Sequence, residues 1–247
     1  SKKKFYYQIM AIAFISDLHL EPIENTRLKT FYNLLSEAHS RFDSLYIIGD
    51  LFEYWIGDDD KHPVNKDIIQ NIKKATDSGL NIFLIHGNRD FLLGSKFEEM
   101  TGIQIIDDMT IIEDEFCKIM VSHGDVFCTD DIEYQNLKKT LRSEEWIESF
   151  LSKSIEERID FANQLRSQSA ESSSNKAENI MDVNTDYVDE VVGKNNLDFL
   201  IHGHTHRPAI HKLDSGASRA VLGSWENNEG WIIEYKQGNI DLKSFPL

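Results

Sequence analysis

The chain has 247 residues, 40% of them hydrophobic, which is enough to bury a full core in one ordinary domain or in one domain with an insertion. Its net charge of −16, from 26 basic and 42 acidic residues, argues against a nucleic-acid backbone as the main partner, because surfaces that track phosphates are basic. A small phosphorylated substrate stays open, since bound metal ions can invert a local field. Only Cys117 and Cys128 are present, so no disulfide framework is implied, and no apolar run approaches the about 20 residues of a membrane span.

The first nine residues, Ser1-Lys2-Lys3-Lys4-Phe5-Tyr6-Tyr7-Gln8-Ile9, lack the small-residue cleavage pattern of a signal peptide and read as an extension before a start at Met10, with a weak basic membrane tether as the alternative. Ala11-Ile12-Ala13-Phe14-Ile15 is then a short continuous apolar run, the pattern of a strand buried on both faces. The pattern recurs at 45–48, 82–85, 118–121 and 199–201. Each run ends in a polar cluster: Ser16-Asp17-Leu18-His19, Gly49-Asp50, His86-Gly87-Asn88-Arg89-Asp90, Ser122-His123-Gly124-Asp125 and His202-Gly203-His204-Thr205-His206. Helical spacing lies between the first three, near 25–40 and 65–77. This alternation predicts an α/β fold with a mostly parallel sheet, whose ligands bind beyond the carboxyl ends of the strands. From about 131 to 194 the sequence reads helical, with a Ser-rich break at 168–176, and short strand-like stretches follow near 209–213, 218–222, 230–235 and 239–242. The expected organisation is a core of 10–130 and 195–247 with a helical insertion, or cap, at 131–194.

Carboxylates, an amide oxygen and imidazoles are the ligands that hard and borderline divalent ions take, and the loops offer Asp17, His19, Asp50, Asn88, His123, His204 and His206. Asp17 and His19, two apart, would share one side of an extended loop. The glycines beside four of the clusters would let the chain turn sharply. Spacing alone leaves His202 open as a further ligand, because it shares strand parity with His204 and His206. Arg89 can bind a phosphate oxygen as a charge-assisted fork. Asp90 would orient a ligand histidine or pair with Arg89, and His86 and Cys128 read as packed side chains. Two ions in such a site clamp the attacking and leaving oxygens of a phosphoryl transfer, and no side-chain base is required.

The order Asp17-x-His19, Gly49-Asp50, Gly87-Asn88-Arg89-Asp90, His123-Gly124-Asp125 and Gly203-His204-x-His206 resembles the calcineurin-like metallophosphoesterase superfamily. The resemblance implies a four-layer α-β-β-α sandwich with a two-metal site at one edge. It gives one ion Asp17, His19, Asp50 and His206, and the other Asp50, Asn88, His123 and His204. Asp50-Leu51-Phe52-Glu53-Tyr54-Trp55-Ile56-Gly57-Asp58-Asp59-Asp60, the run from His123 to Asp131, and Ile201 to Pro208 resemble more narrowly the UDP-2,3-diacylglucosamine pyrophosphohydrolase family of lipid A synthesis. That resemblance implies a peripheral enzyme on the cytoplasmic face of the inner membrane of a Gram-negative bacterium. Its expected substrate is UDP-2,3-diacylglucosamine and its expected cofactor two divalent ions, manganese. It assigns catalysis to Asp50, Asn88 and Arg89, and substrate contacts to Asn88, Arg89, Asp131, Ser169, Ser173, Lys176 and His204; Ser173 stands where many members carry Asn. The helical spacing of Trp146, Ile147, Phe150, Leu151, Ile155 and Ile159 suggests a face that receives acyl chains. Residues 138–166 hold six basic and six acidic side chains, neutral enough to approach an anionic membrane. The rivals are another dinuclear phosphodiesterase or dinucleotide hydrolase, and a scaffold that binds partners without catalysis.

Overall fold

In the computed structural model the described residues are 11–23, 25–175 and 180–247, with only the backbone described at 169–175. The extension expected before Met10 lies outside them. The first half alternates strand and helix: β1 (Ala11–Ile15), α1 (Thr26–Arg41), β2 (Ser44–Ile48), α2 (Pro63–Asp77), β3 (Asn81–Ile85), α3 (Ser95–Thr101) and β4 (Gln104–Ile105). Next come β5 (Thr110–Glu113), β6 (Lys118–Ser122), the helices α4 (Ile132–Leu141), α5 (Glu144–Leu151), α6 (Ile155–Asn175) and α7 (Thr185–Asn195), and then β7 (Phe199–His202). The chain closes with β8 (Ala209–Lys212), β9 (Ser218–Val221), β10 (Glu229–Lys236) and β11 (Asn239–Pro246).

The strands form two sheets, ordered β11-β10-β1-β2-β3-β4 and β5-β6-β7-β9-β8. β1 to β4 run parallel, as do β6, β7 and β9, while β5, β8, β10 and β11 pair antiparallel. Strand parity divides the core into layers. Ile12 and Phe14 of β1 face inward, with Tyr46, Ile48 and Ile85, to meet Ile119, Val121 and Ile201 of the second sheet. Ala13 and Ile15 face outward onto Phe31 and Leu35 of α1, in the layer that also holds Ile68 and Ile72 of α2. On the far side Met120 and Leu200 pack with Val188, Val191 and Val192 of α7. The result is the α-β-β-α sandwich that the resemblance implies, with two sheets in place of the one mostly parallel sheet that the strand–helix alternation predicts. The helices start where local chemistry lets them: Asn25 accepts from the Leu28 N–H at the head of α1, and Pro63 opens α2 at a position where no N–H is needed.

Three sequence expectations need correction. The insertion was drawn as 131–194, but α7 is the outer layer of the sandwich, because its three valines on one face are long enough a stripe to bury against β6 and β7. Only α4, α5 and α6 remain to stand over the site. Among the described residues the expected Ser-rich break at 168–176 is helical as far as Asn175, since serine, glutamate and asparagine cost only a few tenths of a kcal/mol each in a helix and no glycine or proline interrupts the tract. Finally, α3, β4 and β5 went unread, because two residues make no pattern and β5 alternates half-buried with exposed positions.

Candidate active site

Five parallel strands end at the same rim of the sandwich, and backbone hydrogen bonds lock their loops together. The N–H of Asp17 donates to Gly49 O (3.0 Å), that of His19 to Asp50 O (3.0 Å) and that of Gly203 to His123 O (2.9 Å). The loop from β1 is not extended. Among the described residues ten non-glycine positions have left-handed φ, and five are Asp17 (53°), His19 (48°), Asp50 (53°), His204 (64°) and His206 (53°). Each costs on the order of 1 kcal/mol, so a constellation of this kind persists only where the surrounding structure over-determines it. Glycine serves the rim in a way the sequence reading did not foresee. At Gly87 and Gly203 φ is ordinary, and what matters is room: a Cβ would lie 2.0 Å from Asp50 Oδ1 at the first and 2.3 Å from Asp17 Oδ2 at the second.

The seven expected ligands converge. Donor atoms of Asp17, His19 and His206 all lie within 4.8 Å of one another, and so do those of Asp17, Asp50 and His123. His206 Nε2 stands 3.2 Å from Asp17 Oδ1. His123 Nε2 (3.0 Å) and His204 Nδ1 (3.1 Å) both point at Asn88 Oδ1, and His123 Nε2 is 3.8 Å from Asp50 Oδ2. Asp17 is common to these two gatherings of acid and imidazole, and Asp50, the expected shared ligand, stands in the second beside His123. The chemistry fits divalent cations on three grounds. The donor set mixes carboxylate, amide oxygen and imidazole. Among the described residues both ring nitrogens of His19 are buried without a hydrogen-bond partner, although Nδ1 lies 3.2 Å from Glu53 Oε2 without bonding geometry. The charge is also unbalanced: burial disfavours a charged His123, yet Asp50, Asp125 and Asp17 outweigh burial and hold the ring near pKa 9, while burial and His123 push His204 down to about 4. An acidic cluster that must borrow protons from its own imidazoles is a place for a cation.

Other expected residues fall on either side of the rim. Arg89 lies beside the centre, its N–H donating to Asp50 Oδ1 (2.9 Å) and its guanidinium to Glu53 (2.6 Å). Asp90 neither orients a histidine nor pairs with Arg89. It is fully buried and accepts from the N–H groups of Leu51 (2.7 Å) and Gly87 (2.8 Å), tying the β2 and β3 loops together. His202 is not part of the centre: its Nδ1 donates to Gly203 O and its Nε2 accepts from Arg219, and burial with Arg219 holds its pKa down at about 3. His86 packs as expected, with Nε2 2.8 Å from Leu93 O. The Cys128 thiol is pushed up to about 12 by burial. Asp131 caps α4, accepting from the Tyr134 N–H (3.1 Å), and does not line the cleft beside the centre. The side chains of Ser169 and Ser173, and all of Lys176, lie outside the described residues.

That cleft encloses about 870 Å³ between the core loops and the helices above. Its polar end is Asn88, Arg89 and Glu53, and its far wall is aromatic, with Trp55 and Phe91 from the core and Trp146, Phe150 and Phe161 from α5 and α6. Trp146 stacks on Phe150 at 4.8 Å, and Phe161 packs 5.5 Å from both. Of the face read from the sequence, Trp146 and Phe150 line the cleft, whereas Ile147, Ile155 and Ile159 do not. Tyr134 and Lys138 were missed. One turn apart on α4, they both reach the buried Asp125 (2.6 and 2.8 Å), and the Tyr134 ring lies 5.7 Å from that of His204. Their i, i+4 spacing behind an unexplained Asp125 was the available signal.

The profile of the calcineurin-like phosphoesterases matches residues 10–208. The chain belongs to the calcineurin-like phosphoesterase family. Within it, two curated relatives are called UDP-2,3-diacylglucosamine hydrolase. One, from Marinobacter nauticus, is 38% identical over 96% of this chain and 99% of its own length. The other, from Salmonella paratyphi B, is 39% identical over 96% of this chain and 100% of its own. A solved archaeal phosphodiesterase shares the fold at a TM-score of 0.52 and 13% identity, over 96% of this chain and 100% of that one. In a calcineurin-like phosphoesterase a rim of acid, amide and imidazole at the strand ends is where divalent ions and phosphate meet, and here that rim opens directly into the apolar cleft.

Proposed function

We propose that this chain hydrolyses the pyrophosphate bond of UDP-2,3-diacylglucosamine, releasing UMP and 2,3-diacylglucosamine 1-phosphate, with manganese in the metal centre. The observation that carries this reading is the cleft: one end is the phosphate-binding rim at Asn88 and Arg89, and the rest is an aromatic wall. A soluble dinucleotide would leave that wall facing water, whereas a glycolipid nucleotide fits both ends. The names of the curated relatives support the same substrate.

Two divalent ions bound at the rim would supply the positive charge that phosphoryl transfer needs there. The protein's own part is placement. Asp17, His19, Asp50, Asn88, His123, His204 and His206 would hold the ions, and left-handed turns set the direction of five of those side chains. Arg89, fixed between Asp50 and Glu53, presents its remaining N–H groups to a phosphate oxygen. Glu53 stays ionised: burial would raise its pKa, but His19 and Arg89 outweigh burial and lower it. Either product leaves as a phosphate monoester, whose second pKa is about 6, so a general acid is less needed than for an alkoxide.

The same reading places the protein peripherally on the cytoplasmic face of a Gram-negative inner membrane. Ile132 and Leu137, 67% and 44% exposed on α4, lie just before the charge-neutral stretch 138–166 of an acidic protein, and Leu137 also lines the cleft. No described helix is long and apolar enough to cross a membrane.

The test is UMP release from UDP-diacylglucosamine by manganese-loaded protein, across a series of acyl lengths. Each buried methylene is worth about 0.8 kcal/mol, so shortening both chains should lower kcat/KM by orders of magnitude. Equal kcat/KM for the long-chain and the deacylated UDP-sugar would move a phosphodiesterase or dinucleotide hydrolase ahead.

A further inference from the structure

A second pocket, of about 500 Å³, opens on the other sheet, lined by Thr205, Arg207, His211, Arg219 and Asp182 with small apolar residues between them. It touches the metal rim through Thr205, which sits between His204 and His206. Two of its polar groups have capacity left for a ligand. Among the described residues Thr205 Oγ1 is buried without a hydrogen-bond partner. Arg219, on β9, is only 8% exposed, and among the described residues its only hydrogen-bond partner is His202, to whose Nε2 it donates at 3.1 Å. A guanidinium carries five N–H donors, and those that His202 does not take are left to serve whatever enters the pocket that Arg219 lines. Asp182, whose carboxylate is held by Arg207 (2.5 Å), adds an acceptor to the same wall.

We propose that this pocket is the subsite for the nucleotide half of the substrate, holding the ribose and base of the UMP that is released. The inference rests on the hydrolase reading above. A substrate split at a pyrophosphate has two unlike ends. The aromatic cleft, built from the loops of the first sheet and the cap, suits the apolar end and offers a polar ring system little. The pocket is built from loops of the second sheet and from its strands β8 and β9. It supplies what a uridine needs: guanidinium and hydroxyl donors for carbonyl oxygens, and a carboxylate acceptor for ribose hydroxyls or the imide N–H. The two sites meet at the rim, where Asn88 Oδ1 lies 3.1 Å from His204 Nδ1, so a pyrophosphate lying there would send its halves to opposite sheets.

The experiment measures inhibition by UMP and by inorganic phosphate in manganese-loaded protein, for wild type, Arg219→Lys and Thr205→Ala, with metal content checked by elemental analysis. Losing one hydrogen bond to a charged group should raise the inhibition constant of UMP about tenfold or more in Arg219→Lys and leave that of phosphate unchanged. Thr205→Ala should shift UMP in the same direction, and it decides the matter if Arg219→Lys fails to fold. Equal shifts for UMP and phosphate, or none for either, would overturn the subsite. Wild-type protein that releases no UMP from the glycolipid overturns the hydrolase reading and the subsite with it, whereas UMP release with unmoved inhibition constants removes the subsite alone.

Discussion

The Gly87 residue shows how little room the metal rim has. Its backbone needs no unusual conformation, but a methyl group there would strike Asp50 Oδ1 at 2.0 Å and the Asp50 N at 2.3 Å. One contact is with a proposed ligand and the other with backbone, so neither can give way without moving the β2 loop. Gly87→Ala should therefore lower metal content well below two ions per chain and abolish turnover, while far-ultraviolet circular dichroism stays close to wild type. A variant that keeps both ions and full activity would show that the rim is looser than these distances say. The neighbouring acids follow a similar logic of single employment. Asp58 accepts from the Trp55 indole (2.9 Å) and the Phe97 N–H (3.1 Å), Asp59 pairs with Arg158, and Asp60 accepts from Asn65 (2.8 Å). The acidic run after the metal loop is thus a set of three separate structural anchors.

Among the elements, α6 decides whether the cap closes over the cleft. Arg158 projects from it, 4% exposed, and holds together three segments: it donates to Ile56 O (3.0 Å), to Leu151 O (2.8 Å) and Lys153 O (3.0 Å), and as a two-pronged fork to Asp59 (2.6 and 2.9 Å). Arg142, on the residue that ends α4, donates to Gly87 O (2.8 Å) and makes a second tie, from the cap to the metal loop itself. Replacing Arg158 by methionine keeps the apolar stem but strands three carbonyls, at a cost of about 2–5 kcal/mol to the cap's attachment. We expect Arg158→Met to raise KM for the glycolipid much more than it lowers metal content, and to quicken amide exchange in α5 and α6 but not in β1 or β2. Uniform protection across the chain would mean that the cap is held by its aromatic packing instead.

For the molecule as a whole, the rim is a stability element as well as a site. It gathers carboxylates from the loops after β1 and β2 with imidazoles from the loops after β1, β6 and β7, so a cation held there would tie both sheets together. Metal binds the folded state only, so saturation at about 1,000 times Kd stabilises by about 4 kcal/mol. For a chain of this size that is a rise in Tm of roughly 8–16 °C. Chelation should lower Tm by that order and manganese should restore it. A Tm indifferent to chelator would mean that no cation ties the sheets together there and the ligand assignment fails.

The sequence alone determined the strands that end in candidate ligands, their order and the family they resemble, because a strand buried on both faces is a continuous apolar run and a candidate metal loop is a polar cluster at its end. Both signals are local, so Asp17, His19, Asp50, Asn88, His123, His204 and His206 could be named without knowing how the sheets pack. What only the tertiary structure decided is whatever depends on a distant partner. Asp90 looked like a companion of Arg89 and instead accepts from the loop of β2, 39 residues away. His202 had the parity of a ligand, and a guanidinium on β9 turns it away. The helix α7 read as cap until the outer face of the second sheet claimed its valines. The cleft itself joins Trp55 and Phe91 to Trp146 and Phe161, which no periodicity connects. Side chains that meet across a fold leave no spacing in the chain, because their proximity is set by how layers stack and not by the period of any one element.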